Sequence, residues 1–140
     1  MLMNNADLVN KAREVLNPRV LSSMEAEAAG VGAALVTDQG RVYTGACIDI
    51  PCGMGFCAEH SAIASMITQG ESKIKKIVAV DWDGSILAPC GRCRELIYLV
   101  HDDNFKTQIL MPGEKVMPLS ALLPFHWQEK QEKEEEEKAL

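Results

Sequence analysis

Two short cysteine-containing segments are the part of the sequence best suited to bind a metal ion. One is Cys57-Ala58-Glu59 and the other is Pro89-Cys90-Gly91-Arg92-Cys93. A helix N-terminus favours the thiolate form of a cysteine, which is the form that binds zinc. Three sulfurs on one Zn²⁺ ion leave the fourth tetrahedral position for water, as in catalytic zinc sites. We therefore predict that Cys57, Cys90 and Cys93 bind one zinc ion per chain.

Glu59 follows the first of these cysteines by two residues. A carboxylate in the first turn of a helix could reach a water on the metal and act as both base and acid. Two other interpretations of the cysteines stay open. Cys90 and Cys93 could form a redox dithiol, or Cys52 could complete a closed structural zinc site. Outside these interpretations, Cys52 is expected to be a loop or core thiol.

Length and charge indicate one domain that acts on a small molecule. The chain has 140 residues and a formal net charge of −6. We predict a single domain at 1–125 and an acidic tail at 126–140, since six glutamates and three lysines follow position 128. Proteins that bind polynucleotides usually carry a basic face, and no basic cluster is visible here. Nucleic acid is therefore not an expected partner.

Cysteine usage and hydropathy predict the cellular compartment. Five cysteines with one C-x-x-C pair make a poor disulfide framework. The segment 1–8 lacks the basic region and apolar run of a signal peptide, and no apolar stretch reaches the ~18 residues of a membrane span. The sequence thus predicts a cytoplasmic protein with no membrane contact.

The pattern of apolar residues and turn signals predicts an alternating α/β fold. Strand–helix–strand connections place parallel strands side by side with helices on both faces. We predict a three-layer α/β/α sandwich with a five-stranded mixed sheet, in which 19–28 is a connector and 47–56 a loop. The predicted helices are 7–16, 57–69, 90–100 and 119–123, and the predicted strands are 31–37, 41–46, 75–81, 106–111 and 115–117.

The combination of these segments resembles the cytidine deaminase superfamily, in its short-chain form with three cysteine ligands. The resemblance covers roughly residues 30–125. It also includes the apolar strand 31–35, Thr44-Gly45 and the segment 122–125. It implies a cytidine deaminase-like fold and a zinc-dependent hydrolase that converts a cytosine-type nucleoside to the uracil-type product and ammonia.

The resemblance also implies roles for individual residues. Cys57, Cys90 and Cys93 correspond to the zinc ligands, and Glu59 to the group that transfers protons during attack by the metal-activated water. The backbone of Ala58 and the carbonyl of Ala88 would contact the base and its leaving amine. His60, His101 and His126 are expected to be surface or partly packed residues.

This chain departs from the family at positions that concern the substrate. Cytidine deaminases usually carry Asn-x-Glu after the second strand to bind the ribose, where this chain has Cys47-Ile48-Asp49. Cys47 and Asp49 are therefore the candidate ribose contacts. The family often has an aromatic residue just before the first strand that stacks on the base, where this chain has Ala28-Ala29-Gly30. The family also commonly has an arginine directly after Cys-Ala-Glu, where this chain has His60.

These departures leave several substrates open. Cytidine or deoxycytidine is the expected substrate, while blasticidin S deaminases lack parts of the same pattern. The alternative substrates are a modified cytosine nucleoside and another aminated heterocycle. The protein could also be a zinc-stabilised binding protein with a degenerate pocket. Family members of this length are usually homotetramers, so a homotetramer or homodimer is expected, with Phe125 reaching across an interface.

Overall fold

The computed structural model describes residues 3–140, which form one mixed sheet with helices on both faces. The strands are β1 Arg19–Ser22, β2 Ala26–Thr37, β3 Val42–Asp49, β4 Ile74–Val80, β5 Ile86–Leu87, β6 Gln108–Met111 and β7 Lys115–Pro118. The helices are α1 Asn5–Glu14, α2 Ala58–Thr68, α3 Gly91–Leu99, α4 Leu119–Leu122 and α5 Glu129–Ala139, with a 3₁₀ helix at Asp102–Lys106.

The long strand β2 is the centre of the sheet's antiparallel half. It pairs antiparallel with β1, β3 and β4. Strand β4 then pairs in parallel with β6 and antiparallel with the short β5, and β6 forms an antiparallel hairpin with β7. The parallel β4–β6 pair is connected through α3, which crosses over the face of the sheet.

The predicted mixed α/β architecture is confirmed, but the predicted number of five strands is wrong, because the sheet has seven. The two additional strands are β1 and β5. All four residues of β1 are exposed, so the segment has no alternation of burial that would mark it as a strand. Strand β5 has only two residues, which is below the length at which a sequence pattern is readable.

Two apolar layers pack against opposite faces of the sheet. Successive residues of a strand point to opposite faces, so Ala33 and Leu35 contact one layer while Ala34 and Val36 contact the other. Helix α1 covers the second face with Leu8, and helices α2, α3 and α4 contribute to the first. The helices that begin with the predicted zinc ligands therefore share one face of the sheet.

Close packing of α2 on β3 fixes the position of the α2 N-terminus. A Cβ atom at Gly45 would lie 2.3 Å from the backbone nitrogen of Ala62, so only glycine permits this approach. One residue earlier, the hydroxyl of Ser61 donates a hydrogen bond of 2.7 Å to the carbonyl of Ala46. These contacts join the first turn of α2 to the strand that ends at the predicted ribose contacts.

The C-terminal segment packs on the outer surface of α3. His126 stacks near Tyr98, and the side chains of Trp127 and Gln128 donate hydrogen bonds to the carboxylate of Glu95. Gln128 is buried, whereas α5 buries none of its residues. Among residues 3–140 no helix has the combined length and apolar character needed to cross a membrane.

Candidate active site

The three predicted metal ligands lie at the first turns of two helices. Cys57 is the N-terminal cap of α2 and Cys90 is that of α3, both with extended backbone. Neither thiol caps its own helix, so both sulfurs are available to a metal. Cys93 lies in the first turn of α3 and is fully buried. Two helix N-termini therefore direct their positive dipole ends at one group of sulfurs.

The spacing of these sulfurs fits a zinc ion. The Sγ atom of Cys90 lies 3.4 Å from that of Cys57 and 3.5 Å from that of Cys93. Zn–S bonds of about 2.3 Å in a tetrahedron separate the sulfurs by about 3.8 Å, close to these distances. In residues 3–140 the only candidate metal group contains Cys57, Cys90 and Cys93 and no fourth residue. The group is thus suited to hold one zinc ion with one position left for a further ligand.

Electrostatics around the thiols also favour a bound cation. Burial, followed by the Glu59 carboxylate, raises the pKa of Cys93, and burial raises the pKa of Cys57. Burial opposes ionisation of Cys90 too, but hydrogen bonds, first among them one from the backbone of Cys93, hold its pKa below the ordinary value. Three thiolates at this spacing repel one another, so the triply ionised state needs a metal ion.

Glu59 lies in the first turn of α2 beside this group. It is buried, with 5% of its surface exposed, and burial raises the pKa of its carboxyl. A buried carboxyl next to a cleft, with its pKa moved toward neutrality, has the properties of a general acid and base. Glu59 thus lines the same cleft as Cys57 and Cys90, and its catalytic role stays a prediction.

Three cationic or imidazole side chains surround the sulfurs. His60 Nδ1 lies 3.5 Å from Cys93 Sγ, and burial, with Arg92 second, lowers the pKa of the imidazole. Arg92 Nη1 donates to the carbonyl of Gly55 at 3.3 Å, which connects α3 to the loop before Cys57. Arg94 Nε donates a hydrogen bond of 2.9 Å to the carbonyl of Pro89, and its Nη1 donates to the carbonyl of Leu122 in α4. The Arg92 bond therefore connects the two helix starts, while the Arg94 bonds join the start of α3 to α4.

A cleft of about 500 Å³ opens beside the sulfurs and Glu59. All four residues predicted to contact the substrate line it: Cys47, Asp49, Ala58 and Ala88. The cleft also contains residues that the sequence did not single out, chiefly Asp81 and Trp82. Their position directly after the buried strand β4 is the signal that could have identified them, because strand ends in α/β sheets line ligand sites.

Cys47 is more enclosed than a simple substrate contact. It is buried, and its Sγ accepts a hydrogen bond of 3.3 Å from the backbone N–H of Val31. The same thiol lies 3.7 Å from Asp49 Oδ2 and donates to it. Cys47 therefore connects the central strand to the carboxylate that follows it on β3.

The two alternative interpretations of the cysteines lack support from this arrangement. Cys52 is exposed, lies in a turn with a φ of +65°, and is not part of the sulfur group, so a closed four-cysteine site is not formed. The Cys90–Cys93 pair does not stand alone as a redox dithiol would, since Cys57 lies as close to Cys90 as Cys93 does.

Comparison with known proteins places this geometry in a family. The family described as "Cytidine and deoxycytidylate deaminase zinc-binding region" matches residues 8–108. A cytidine deaminase of Mycobacterium tuberculosis is 38% identical over 68 residues, which cover 48% of this chain and 51% of that protein. The chain thus spans about half the length of this relative. Blasticidin-S deaminase of Bacillus cereus is 33% identical over 124 residues, covering 81% of this chain and 88% of that protein.

Solved structures agree with the sequence matches. The crystal structure of cytidine deaminase from Mycobacterium tuberculosis superposes with a TM-score of 0.74 at 27% identity, covering 89% of this chain and 98% of that one. The fold, the group of three sulfurs and the family match over most of the chain lead to one assignment. This chain belongs to the family of zinc-dependent cytidine and deoxycytidylate deaminases.

Proposed function

We propose that this protein is a zinc-dependent hydrolase that removes the exocyclic amine of a cytosine-type nucleoside. The reaction consumes one water, breaks the bond between the ring carbon and its exocyclic amine nitrogen, forms a C=O group at that carbon and releases ammonia. The observation that carries the proposal is the buried Glu59, which lines one cleft together with Cys57 and Cys90 of the three-sulfur group. Bound zinc supplies an activated water at this place.

Glu59 moves the protons in this proposal. Its burial keeps bulk water from competing for the carboxylate, and the same burial raises its pKa, which makes the carboxylate a better proton acceptor. The backbone of Ala58, one residue earlier, contacts the base. The carbonyl of Ala88, on the segment before Cys90, accepts a hydrogen bond from the amine that leaves.

The ribose contacts in this proposal are Asp49 and Cys47. Asp49 is exposed at the end of β3 and lines the cleft, so its carboxylate can accept hydrogen bonds from sugar hydroxyls. Cys47 acts mainly by orienting that carboxylate, since its thiol is already bonded to Val31 and Asp49. Cytidine and deoxycytidine are the first substrates to test.

Ammonia release tests the proposal. Zinc-loaded protein should release ammonia from cytidine or deoxycytidine, and Glu59→Gln should keep its zinc while losing about 10²–10⁴-fold in kcat. Glu14→Gln is the matched control, because Glu14 is exposed on α1. Full activity of Glu59→Gln on a confirmed substrate would contradict the assigned role.

A second candidate is a deaminase of a modified cytosine nucleoside or another aminated heterocycle. The similarity to a blasticidin-S deaminase over 88% of that protein favours it, as does the thiol in place of a ribose-binding amide. Blasticidin S and aminated purines and pterins therefore belong in the same ammonia screen. Ligand binding to the zinc-loaded protein without any ammonia release would instead indicate a binding protein with a degenerate site.

We further propose that the protein acts as a homotetramer or homodimer. The β1–β2 hairpin exposes Val20 and Met24, each by more than 70%, and Phe125 is 92% exposed. Exposed apolar groups of this size are typical of surfaces that contact another chain. Size-exclusion chromatography with light scattering should give a mass of two or four chains, and a stable monomer at micromolar concentration would contradict this.

We also propose a cytoplasmic protein whose catalytic domain is confined to residues 1–125. None of the five cysteines forms a disulfide, which fits a reducing compartment such as the cytoplasm. Every residue lining the cleft lies within 1–125. The acidic segment 126–140 is therefore proposed to have no direct part in catalysis, and its contacts to α3 are structural.

A further inference from the structure

A second cavity, of about 470 Å³, lies between α1 and the β6–β7 hairpin. Its floor is apolar and includes Val9 of α1, Ile86 of β5 and Leu110 of β6, all of which belong to the apolar layer under α1. The cleft beside the sulfurs has a similar volume of about 500 Å³. Volumes of this size are typical of sites that bind small molecules.

The short strand β5 separates this second cavity from the cleft. Ile86 lines the second cavity, whereas the next two residues, Leu87 and Ala88, line the cleft. Ile86 packs against the apolar layer under α1 and Leu87 against the opposite layer, because successive residues of a strand point to opposite faces of a sheet. The second cavity is therefore a separate space, which the proposed reaction does not use.

A fixed guanidinium group lies at the rim of the second cavity. Arg13 Nε donates a hydrogen bond of 3.0 Å to the carbonyl of Gly84, and Arg13 Nη1 donates one of 3.3 Å to Asn10 Oδ1. A Cβ atom at Gly84 would lie 3.3 Å from this Nε, so a glycine favours the close contact. Because a guanidinium has further N–H donors after two such bonds, Arg13 is oriented yet still able to bind an anion.

Positive charge at this rim is not compensated by the protein. Arg13 and Lys115 line the cavity against one carboxylate, that of Glu114. In the part of the chain that the structure describes, no ion pair joins either cation to a carboxylate. A third cation lies close by, since Lys76 Nζ donates a hydrogen bond of 3.0 Å to Oδ1 of Asn5, which also lines the cavity. This local excess of cations, in a chain with a net charge of −6, complements a ligand with a negative charge.

We propose that the second cavity is a binding site for a small organic anion. The apolar body of the ligand lies on the floor formed by Val9, Ile86 and Leu110, and its anionic group pairs with the guanidinium of Arg13. The inference goes beyond the proposed deaminase function and does not depend on it, because the two sites use different residues on opposite faces of the sheet.

Two fluorescent probes that differ in charge test the inference. Anilinonaphthalene sulfonate is an aromatic anion, and phenylnaphthylamine has the same aromatic body without the sulfonate group. The fluorescence of both probes increases in apolar surroundings, so titration of the zinc-loaded protein gives a Kd for each. We expect the sulfonate to bind about tenfold more tightly than the neutral probe, because its anionic group gains hydrogen bonds from a charged donor.

Two variants should assign the probe to this cavity. Arg13→Gln should weaken binding of the sulfonate by about tenfold and leave that of the neutral probe nearly unchanged. Ala6→Leu should weaken binding of both probes, since Ala6 is exposed on α1 and lines the cavity, where a larger side chain takes up space. Arg19→Gln is the matched control, because it removes the same charge from an exposed residue that does not line the cavity, and it should change neither Kd.

Several outcomes would overturn the inference. Equal affinity of the wild-type protein for the two probes would mean that the anionic group contributes nothing. Weaker sulfonate binding in Arg92→Gln but not in Arg13→Gln would place the probe in the cleft, which Arg92 lines. Unchanged binding of both probes to Ala6→Leu would exclude the cavity even if Arg13→Gln failed to fold. Kd values that rise with protein concentration would mean that a second copy of the chain covers the cavity.

Discussion

The cleft has two sides that differ in how they are built. The metal side, consisting of Cys57, Glu59, Cys90 and Cys93, lies on the first turns of two helices packed on one face of the sheet. The substrate side, consisting of Cys47, Asp49, Asp81 and Trp82, lies at strand ends and in the β4–β5 turn. Glu59 and Cys93 are buried, whereas Asp49 and Trp82 are exposed.

This difference separates chemistry from selectivity. Each residue of the metal side depends on the position of a packed helix, so a change there alters the metal or the fold. Apart from the buried Cys47, the residues of the substrate side project from a turn or a strand end, where side chains can change without repacking the core. The reaction is thus expected to be sensitive to the metal side, and the choice of substrate to the substrate side.

Cys93→Ser should give the largest effect on the metal side. A serine hydroxyl is not a zinc ligand at neutral pH, so zinc content should fall from one ion per chain to about a tenth or less, and ammonia release should disappear. Metal analysis of freshly purified protein measures this directly. Cys52→Ser is the control and should retain its zinc, since Cys52 is exposed and outside the sulfur group. Loss of zinc from both variants would contradict the assignment of zinc binding to the metal side alone.

Asp49→Ala should show the opposite pattern on the substrate side. Zinc content and thermal stability should be unchanged, while kcat/KM should fall by about 10–100-fold, mainly through KM, because hydrogen bonds to a charged acceptor are lost. Steady-state kinetics with zinc analysis on the same sample tests both halves of the statement. A loss confined to kcat would instead assign Asp49 to the chemistry.

Sequence predicted the metal side because its signals are local. Cys57 and Glu59 lie two residues apart, and Cys90 and Cys93 three apart, so a single helical turn fixes each pair. Apolar runs also predicted the core strands, since β2 and β4 are buried over most of their length. Strand β2 begins at Ala26, before the predicted start at residue 31, and Ala29 within it has an irregular backbone with a φ of +60°.

Residues of the substrate side that come from distant parts of the chain could be identified only from the tertiary structure. Asp49 and Asp81 are 32 positions apart in sequence and line one cleft because β2 pairs both with β3, which ends at Asp49, and with β4, which ends just before Asp81. Trp82 gives no local signal, since an exposed aromatic in a turn reads as ordinary surface. The contact of His60 with Cys93 could not be predicted from sequence either, because it requires α2 and α3 to pack side by side.

Gly45→Ala tests whether the metal side depends on helix packing. The added methyl group would meet the backbone of α2, which cannot move without displacing Cys57 and Glu59. We expect the free energy of unfolding to fall by about 1–3 kcal/mol, as for other overpacked sites. Urea unfolding measures the change. Gly30→Ala is the control, because a Cβ atom there meets nothing within 4 Å and should leave stability nearly unchanged.

The pH dependence of the metal-free protein gives the smallest expected effect on the metal side. Burial raises the pKa of Glu59 above its ordinary value of 4.5. At pH values between the ordinary pKa of the unfolded chain and the raised pKa of the folded chain, the folded chain holds a proton that the unfolded chain has released. Stability should therefore fall as pH rises through this window.

Glu59→Gln removes this group and should remove its share of the slope. Urea unfolding of reduced, metal-free wild type and Glu59→Gln, repeated as the pH is raised from about 4.5, isolates that share, since the other carboxyls cancel in the difference. Wild type should lose stability relative to the variant as pH rises. A parallel course for the two proteins would mean that the carboxylate of Glu59 is well solvated, and the distinction between the two sides would then be one of position alone.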